Sequence, residues 1–133
     1  MKQIVKVGLL LVNDNAFLVT RKRNTTAFLI PGGKHKAEED DVQALAREVL
    51  EELNCQLDTA SLKYVGDFTD VAANEPDATI TVRLYSGDIA GTPVASSEIE
   101  ELKWFNPVLD DASCLARSIQ NKILPFLLEH RYV

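Results

Sequence analysis

The apolar run from Val7 to Val12 is broken only by a glycine, and the stretch Ile4 to Val12 predicts a strand buried on both faces. Asn13-Asp14-Asn15 marks a turn, and Ala16 to Arg21 predicts the returning strand. A loop over Asn24 to Ala27 leads through Phe28-Leu29-Ile30 into Pro31-Gly32-Gly33. The period then changes. Val42, Leu45, Ala46, Val49 and Leu53 recur at helical spacing and predict the core stripe of a helix of about four turns. Asn54 follows the last apolar residue, where asparagine is the usual second choice to glycine for a left-handed stop.

Leu62 to Val71 and Thr79 to Asp88 predict paired strands around a polar loop through Asn74-Glu75-Pro76-Asp77. A second loop, Gly91 to Ser97, ends in Glu98-Ile99-Glu100-Glu101 before a short strand, Leu102 to Phe105. Asp110 or Asp111 can cap a terminal helix carrying Leu115, Ile119 and Ile123, which Pro125 kinks or restarts. Strands on both sides of one helix, followed by a last helix, predict an α/β fold with a mixed sheet between helices.

Composition narrows the partners. At 133 residues with 46% hydrophobic content, one domain over 1–133 with one core is expected. A net charge of −6 without a basic patch argues against a nucleic-acid duplex. The apolar run is too short to span a membrane and the N-terminus does not resemble a signal peptide, so a cytoplasmic protein is expected. Cys55 and Cys114 suggest neither a zinc motif nor a disulfide framework, only two buried or half-buried thiols. The dense basic run Arg21-Lys22-Arg23 reads as a solvated strand end, or as phosphate steering. His35 is expected on the surface of its loop, and His130 in the charged tail has no expected role.

The candidate chemistry lies on the first helix. Glu48, Glu51 and Glu52 stand at i, i+3 and i+4 and project from a face beside the core stripe. Glu48 and Glu52 are one turn apart and nearly stacked, while Glu51 is rotated further from the core. Two carboxylates about 5 Å apart repel by roughly 3 kcal/mol at an effective dielectric near 20. Such a cluster persists most naturally around a multivalent cation, and Mg²⁺ or Mn²⁺ is the hard, oxygen-seeking choice. Arg47, four residues before Glu51, is placed to hold that carboxylate. A glutamate-rich helix face alone is most often solvated surface; the glycine turn and the spacing to Glu39 and Arg47 decide for the cation.

This segment resembles the Nudix box, G-x5-E-x7-R-E-U-x-E-E-x-G-U with U a bulky aliphatic, preceded by Pro31-Gly32-Gly33-Lys34. Gly33, Glu39, Arg47, Glu48, Glu51 and Glu52 all match across residues 33–55. Asn54 replaces the last glycine, Cys55 takes the final aliphatic place, and Lys36 and Glu38 depart from the usual loop. The resemblance implies an α/β/α Nudix sandwich, similar to small MutT-like members, and a pyrophosphohydrolase dependent on Mg²⁺ or Mn²⁺. Its substrate would be a nucleoside diphosphate linked to a group X, cleaved to a nucleoside monophosphate and phosphorylated X. The small size favours nucleoside triphosphates, including oxidised ones such as 8-oxo-dGTP, ahead of ADP-ribose or NDP-sugars.

By the same resemblance, Glu48, Glu52 and the Gly32 carbonyl would hold the metal. Glu48 or a loop glutamate would take a proton from water. Glu98 is favoured over Glu100 and Glu101 because it lies furthest into its loop. Arg47 would orient Glu51, with both counted in the catalytic set, and Glu39 would cap the helix or steady the loop beside Gly33. Phe28 is the first candidate to stack on a base, with Arg23 and Lys34 as phosphate contacts. The protein is expected to act as a monomer or homodimer. Two other classes stay open: a Nudix-fold module that binds without turnover, and a phosphohydrolase of a non-nucleotide diphosphate.

Overall fold

The structure is a computed structural model that describes residues 2–72 and 75–133; Asn74 of the expected polar loop lies outside the described residues. Strand β1 (Lys2–Leu10) leads into a short β2 (Val12–Asn13), and β3 (Ala16–Lys22) returns. Asp14 and Asn15 between β2 and β3 both adopt left-handed φ, 50° and 63°. Two such residues in a two-residue loop match the strand twist, which is why the Asn-Asp-Asn cluster turns the chain here. After β4 (Gly32–Gly33) come helix α1 (Asp41–Leu53), β5 (Gln56–Val71), β6 (Ala78–Ala90) and β7 (Ile99–Phe105).

One sheet has the order β4-β1-β6-β5 and the other β2-β3-β7. β1 runs parallel to β6, whereas β4 and β5 are antiparallel to their neighbours, so the larger sheet is mixed. A parallel pair needs a long crossover, and α1 with β5 lies in that connection. β5 begins six residues before the expected Leu62. Its register shifts between Asp58 and Lys63 and again between Tyr64 and Gly66, and these irregularities hide the period-two pattern.

Apolar side chains collect on both sides of the sheets. Val7, Leu9 and Leu11 pack with Leu45, Val49 and Leu53 of α1. Ile4 and Leu10 pack with Phe17, Ile80, Phe105 and Ile119. β1 therefore serves two cores, as its apolar run predicts, although it ends at Leu10. Val12 is exposed.

α1 is capped by Asp40, whose carboxylate accepts from Gln43 N–H at 2.8 Å while Gln43 accepts from Asp40 N–H at 3.0 Å. This capping box does the work expected of Glu39. At the other end Asn54 stops the helix at φ 54°, as its position predicts. Val42 departs from the expected stripe, being 39% exposed. Its azimuth is right, but the first turn overhangs a shallow hollow shared with Val5 and Arg83 instead of the core.

The terminal segment also differs. Asp111 caps only a short 3-10 turn, Ala112–Cys114, and Leu115 forms a bridge to Phe28. A π-helical turn, Ile119–Ile123, then runs into α2 (Leu124–Glu129). Pro125 has no N–H to continue an α-helical ladder, and Leu124 N–H reaches back to the Ile119 carbonyl across the widened turn. With α1 on one side and this segment on the other, the mixed sheet lies between helices. Cys55 is buried and Cys114 half-buried, both free. Among the aromatics, Phe28 and Phe68 are buried, Tyr85 is half-buried and Trp104 is exposed. No helix among the described residues is long and apolar enough to cross a membrane.

Candidate functional site

Two glycines let α1 approach the sheet. β4 pairs Gly33 with Val7 and Gly32 with Gly8. Gly32 has φ +147°, and a Cβ there would stand 1.9 Å from the Val7 carbonyl oxygen. A Cβ on Gly33 would stand 2.5 Å from the Glu48 carboxyl carbon. A side chain is thus excluded at Gly32 by the neighbouring strand's backbone, and at Gly33 it would displace the Glu48 carboxylate. Gly32 N–H donates to Glu52 Oε1 at 3.0 Å. Glu48 and Glu52 press against consecutive glycines, while Glu51 turns outward with its side chain 44% exposed.

Arg47 holds the loop instead of Glu51. Its Nε and Nη2 donate to the two oxygens of Glu39 at 2.7 and 2.8 Å, and Nη1 donates to Glu48 at 2.8 Å. Nη2 also reaches the Lys34 carbonyl at 3.0 Å, whereas the contact to Glu51 is the longest at 3.4 Å. Folding the loop back over the helix brings Glu39 nearer than the residue one turn along. Glu39 in turn accepts from Lys36 N–H at 2.7 Å. The Arg47 guanidinium, with that amide, holds the Glu39 carboxyl down at about 2.

A cavity of about 450 Å³ opens beside this assembly. Gly32, Gly33, Lys34, Arg47, Glu48 and Glu98 stand on its wall, as a shared site would require. Glu52, only 3% exposed, lies immediately behind Gly32. Glu39 backs Arg47. Arg23 and Phe28 stand elsewhere. Arg23 is exposed and faces Glu100 at 3.5 Å, and Phe28 is 7% exposed within the core, where its backbone bridges Leu115. Leu29 and Ile30 reach the cavity in its place, and Lys22 does so in place of Arg23. The basic run and the second acidic group are in fact partners: Arg21 meets Glu101 at 3.2 Å and Lys22 meets Glu98 at 3.2 Å.

Sequence reasoning missed Lys6, which also lines the cavity. Its signal was a charge inside a strand expected to be buried on both faces. Burial and nearby Lys22 lower its pKa to about 8 against the pull of Glu52 and Glu48. Also missed was an anchor for the loop. Asp41 accepts from Arg83 at 3.1 Å and Tyr85 at 2.5 Å and pairs with His35 at 2.7 Å, tying the loop to β6. His35 is accordingly half-buried, not a free surface group.

Glu52 is the electrostatic centre. Burial raises its pKa to about 7, the Gly32 N–H opposes this, and Glu48 adds to it. Among the described residues no three His, Cys, Asp or Glu side chains form a ready-made metal cluster. The donors at hand are nevertheless all oxygen, and buried Glu52 has no ion-pair partner among the described residues. That set fits a hard divalent cation.

A pH prediction follows from these shifts. Raising Glu52 from 4.5 to about 7 means the metal-free fold loses stability as pH rises through that interval, on the order of 3 kcal/mol. Lys6, lowered from 10.5 to about 8, returns stability as pH rises above about 8. Melting temperatures in EDTA should therefore pass through a minimum near pH 7–8. Glu52→Gln should flatten the acidic side; an unchanged slope would contradict the assignment.

The NUDIX domain family matches residues 2–120. No curated protein matches the chain by sequence. Among solved structures, the ORF135 protein of E. coli is 25% identical, with 98% of this chain and 92% of that one covered at a TM-score of 0.76. The MutT protein of Methanosarcina mazei Go1 is 21% identical, with 98% and 96% covered at 0.77. A bifunctional NMN adenylyltransferase/ADP ribose pyrophosphatase of Francisella tularensis, complexed with AMP and a Mn ion, is 20% identical. There 96% of this chain and 42% of that one are covered at a TM-score of 0.66.

Proposed function

The chain belongs to the Nudix family of pyrophosphohydrolases, and from that premise we propose that it hydrolyses a nucleoside diphosphate linked to X in the presence of Mg²⁺ or Mn²⁺. One observation carries the reading. A single cavity joins the Glu48 side of α1, the cations Lys6, Lys22 and Lys34, and an aliphatic chamber. Carboxylates for metal, amines for phosphate and an apolar space for the organic group stand in one place.

Glu48, Glu52 and the Gly32 carbonyl would hold the cation. When bound, it neutralises phosphate charge and lowers the pKa of a water. The remaining work belongs to the chain. Arg47 and Glu39 fix Glu48 and the loop around Lys34, and Glu51 completes the acidic face from the solvent side. Glu98 or Glu48 accepts the proton from the attacking water. Lys22 and Lys34 engage phosphate, and Glu98 is freed as Lys22 exchanges its carboxylate partner for that phosphate. The products are a nucleoside monophosphate and phosphorylated X.

Nucleoside triphosphates, including 8-oxo-dGTP, stand first, and ADP-ribose or NDP-sugars second. The Francisella neighbour, complexed with AMP and a Mn ion, supports manganese and a nucleotide ligand. The chamber favours one other reading. Its walls are mostly aliphatic, Ile4, Leu29, Ile30, Ile80, Val82 and Ile119, with Ser118 and Glu75 as polar exceptions, which also suits an isoprenoid diphosphate. The protein is taken as one cytoplasmic domain, a monomer or homodimer.

Turnover with Mg²⁺ and Mn²⁺ across ordinary and oxidised nucleoside triphosphates, ADP-ribose, NDP-sugars, dinucleotides and isoprenoid diphosphates tests this. A selective, metal-dependent hit names the substrate. Metal binding with no turnover across the whole panel would move the reading to a ligand-binding module.

A further inference from the structure

Lys6 stands apart from Lys22 and Lys34 among the cavity's amines, inside a strand and not on a loop or strand end. It lies on β1 opposite Val82 of β6, with Ile4 opposite Ile80 two residues before it. Residues two apart on a strand share a face. Ile4, Lys6 and Gly8 line the cavity together, and Ile80 and Val82 continue the same floor. The amine therefore rises from an apolar surface at the boundary between the aliphatic chamber and the carboxylates.

Its charged surroundings are divided. Glu52 and Glu48 attract it, while Lys22 and Lys34 repel it. Lys22 and Arg47 are each paired with carboxylates, but Lys6 enters no ion pair among the described residues. A half-buried cation without its own partner is costly to keep in an apolar strand. Once a divalent cation is held by Glu48 and Glu52, the attraction they offer Lys6 is cancelled. An anion between the two cations then satisfies both.

We propose that Lys6 binds the phosphate that joins the organic group to the rest of the substrate. The substrate would lie across β1, its organic group in the aliphatic chamber and its remaining phosphates toward α1. This assignment rests on the diphosphate reading of the cavity, and it names the residue that sets the orientation. Lys6 also selects phosphorylated over unphosphorylated ligands, because the chamber beyond it is mainly apolar and its polar exceptions, Ser118 and Glu75, supply no cation.

The probe is methylenediphosphonate, whose P–C–P link resists hydrolysis, titrated into the protein with Mg²⁺ by calorimetry. Mn²⁺ affinity without diphosphonate is measured in parallel. Lys6→Met should weaken diphosphonate binding by at least about tenfold, the loss expected for one charge-assisted contact. It should leave Mn²⁺ affinity equal or higher, and melt no lower than wild type. Lys6→Arg should keep most of the binding. Unchanged diphosphonate affinity in Lys6→Met overturns the proposal, as does parallel loss of Mn²⁺ and diphosphonate, which would mark a residue that only shapes the metal site. If no substrate in the panel turns over while diphosphonate binding still depends on Lys6, the hydrolase reading fails and this assignment stands.

Discussion

Glu52→Gln lowers metal-dependent kcat/KM by about a thousandfold, about 4 kcal/mol of transition-state stabilisation, and leaves the fold intact. Glutamine keeps the oxygen that accepts from Gly32 N–H, now at 3.0 Å, and nearly the same volume in a site only 3% exposed. What disappears is the charge. In the metal-free protein that charge is a burden, since burial and Glu48 already push the carboxyl up to about 7. The variant should therefore melt above wild type in EDTA at pH 8 yet gain little from added Mn²⁺. Wild-type turnover by a correctly folded Glu52→Gln protein would remove the metal-site assignment. Glu51→Gln should cost far less, because Glu51 is half in solvent and 3.4 Å from its nearest cation. Equal loss in the two variants would mean that Glu51 swings in to bind metal.

Arg47→Lys is expected to damage stability and activity together. The guanidinium serves Glu39 with two bonds, Glu48 with one and the Lys34 carbonyl with another. A lysine ammonium cannot reproduce that planar fork. Glu39 and Glu48 would be left under-neutralised, so the urea midpoint should fall. Because Arg47 positions Glu48 and the loop without needing to touch substrate, kcat/KM should fall about a hundredfold, in the range for groups that orient metal ligands. Urea denaturation and steady-state kinetics read the two effects. Glu39→Gln should reproduce part of both, and the double variant should lose less than the sum. A wild-type urea midpoint in Arg47→Lys would show that the cluster is ornamental.

Residue order by itself determined the first hairpin, helix α1 and the identity of the family. Helical period alone places Glu48 and Glu52 on one side of α1 and turns Glu51 away, and the structure agrees. Asp14-Asn15 and Asn54 mark the hairpin and the helix stop because few residues tolerate left-handed backbone there. These outcomes depend on sterics within a few residues, so they can be read along the chain. Who touches whom could not be.

Arg47 and Glu51 are neighbours by period, yet Arg47 binds Glu39 because the loop closes over the helix. Lys22 reaches the cavity and Arg23 does not. Lys22 is the last residue of β3, Arg23 lies past the strand's end, and the bulged residue Glu100 on β7 meets Arg23 there. Phe28, beside the glycine turn in sequence, is drawn into the core by the terminal segment packing over it. Lys6 is read as strand from its neighbours, but only the docking of β4 and α1 sets it beside Glu48 and Glu52. Local sterics choose the elements; contacts between residues far apart in sequence choose the partners, and no short-range pattern encodes them.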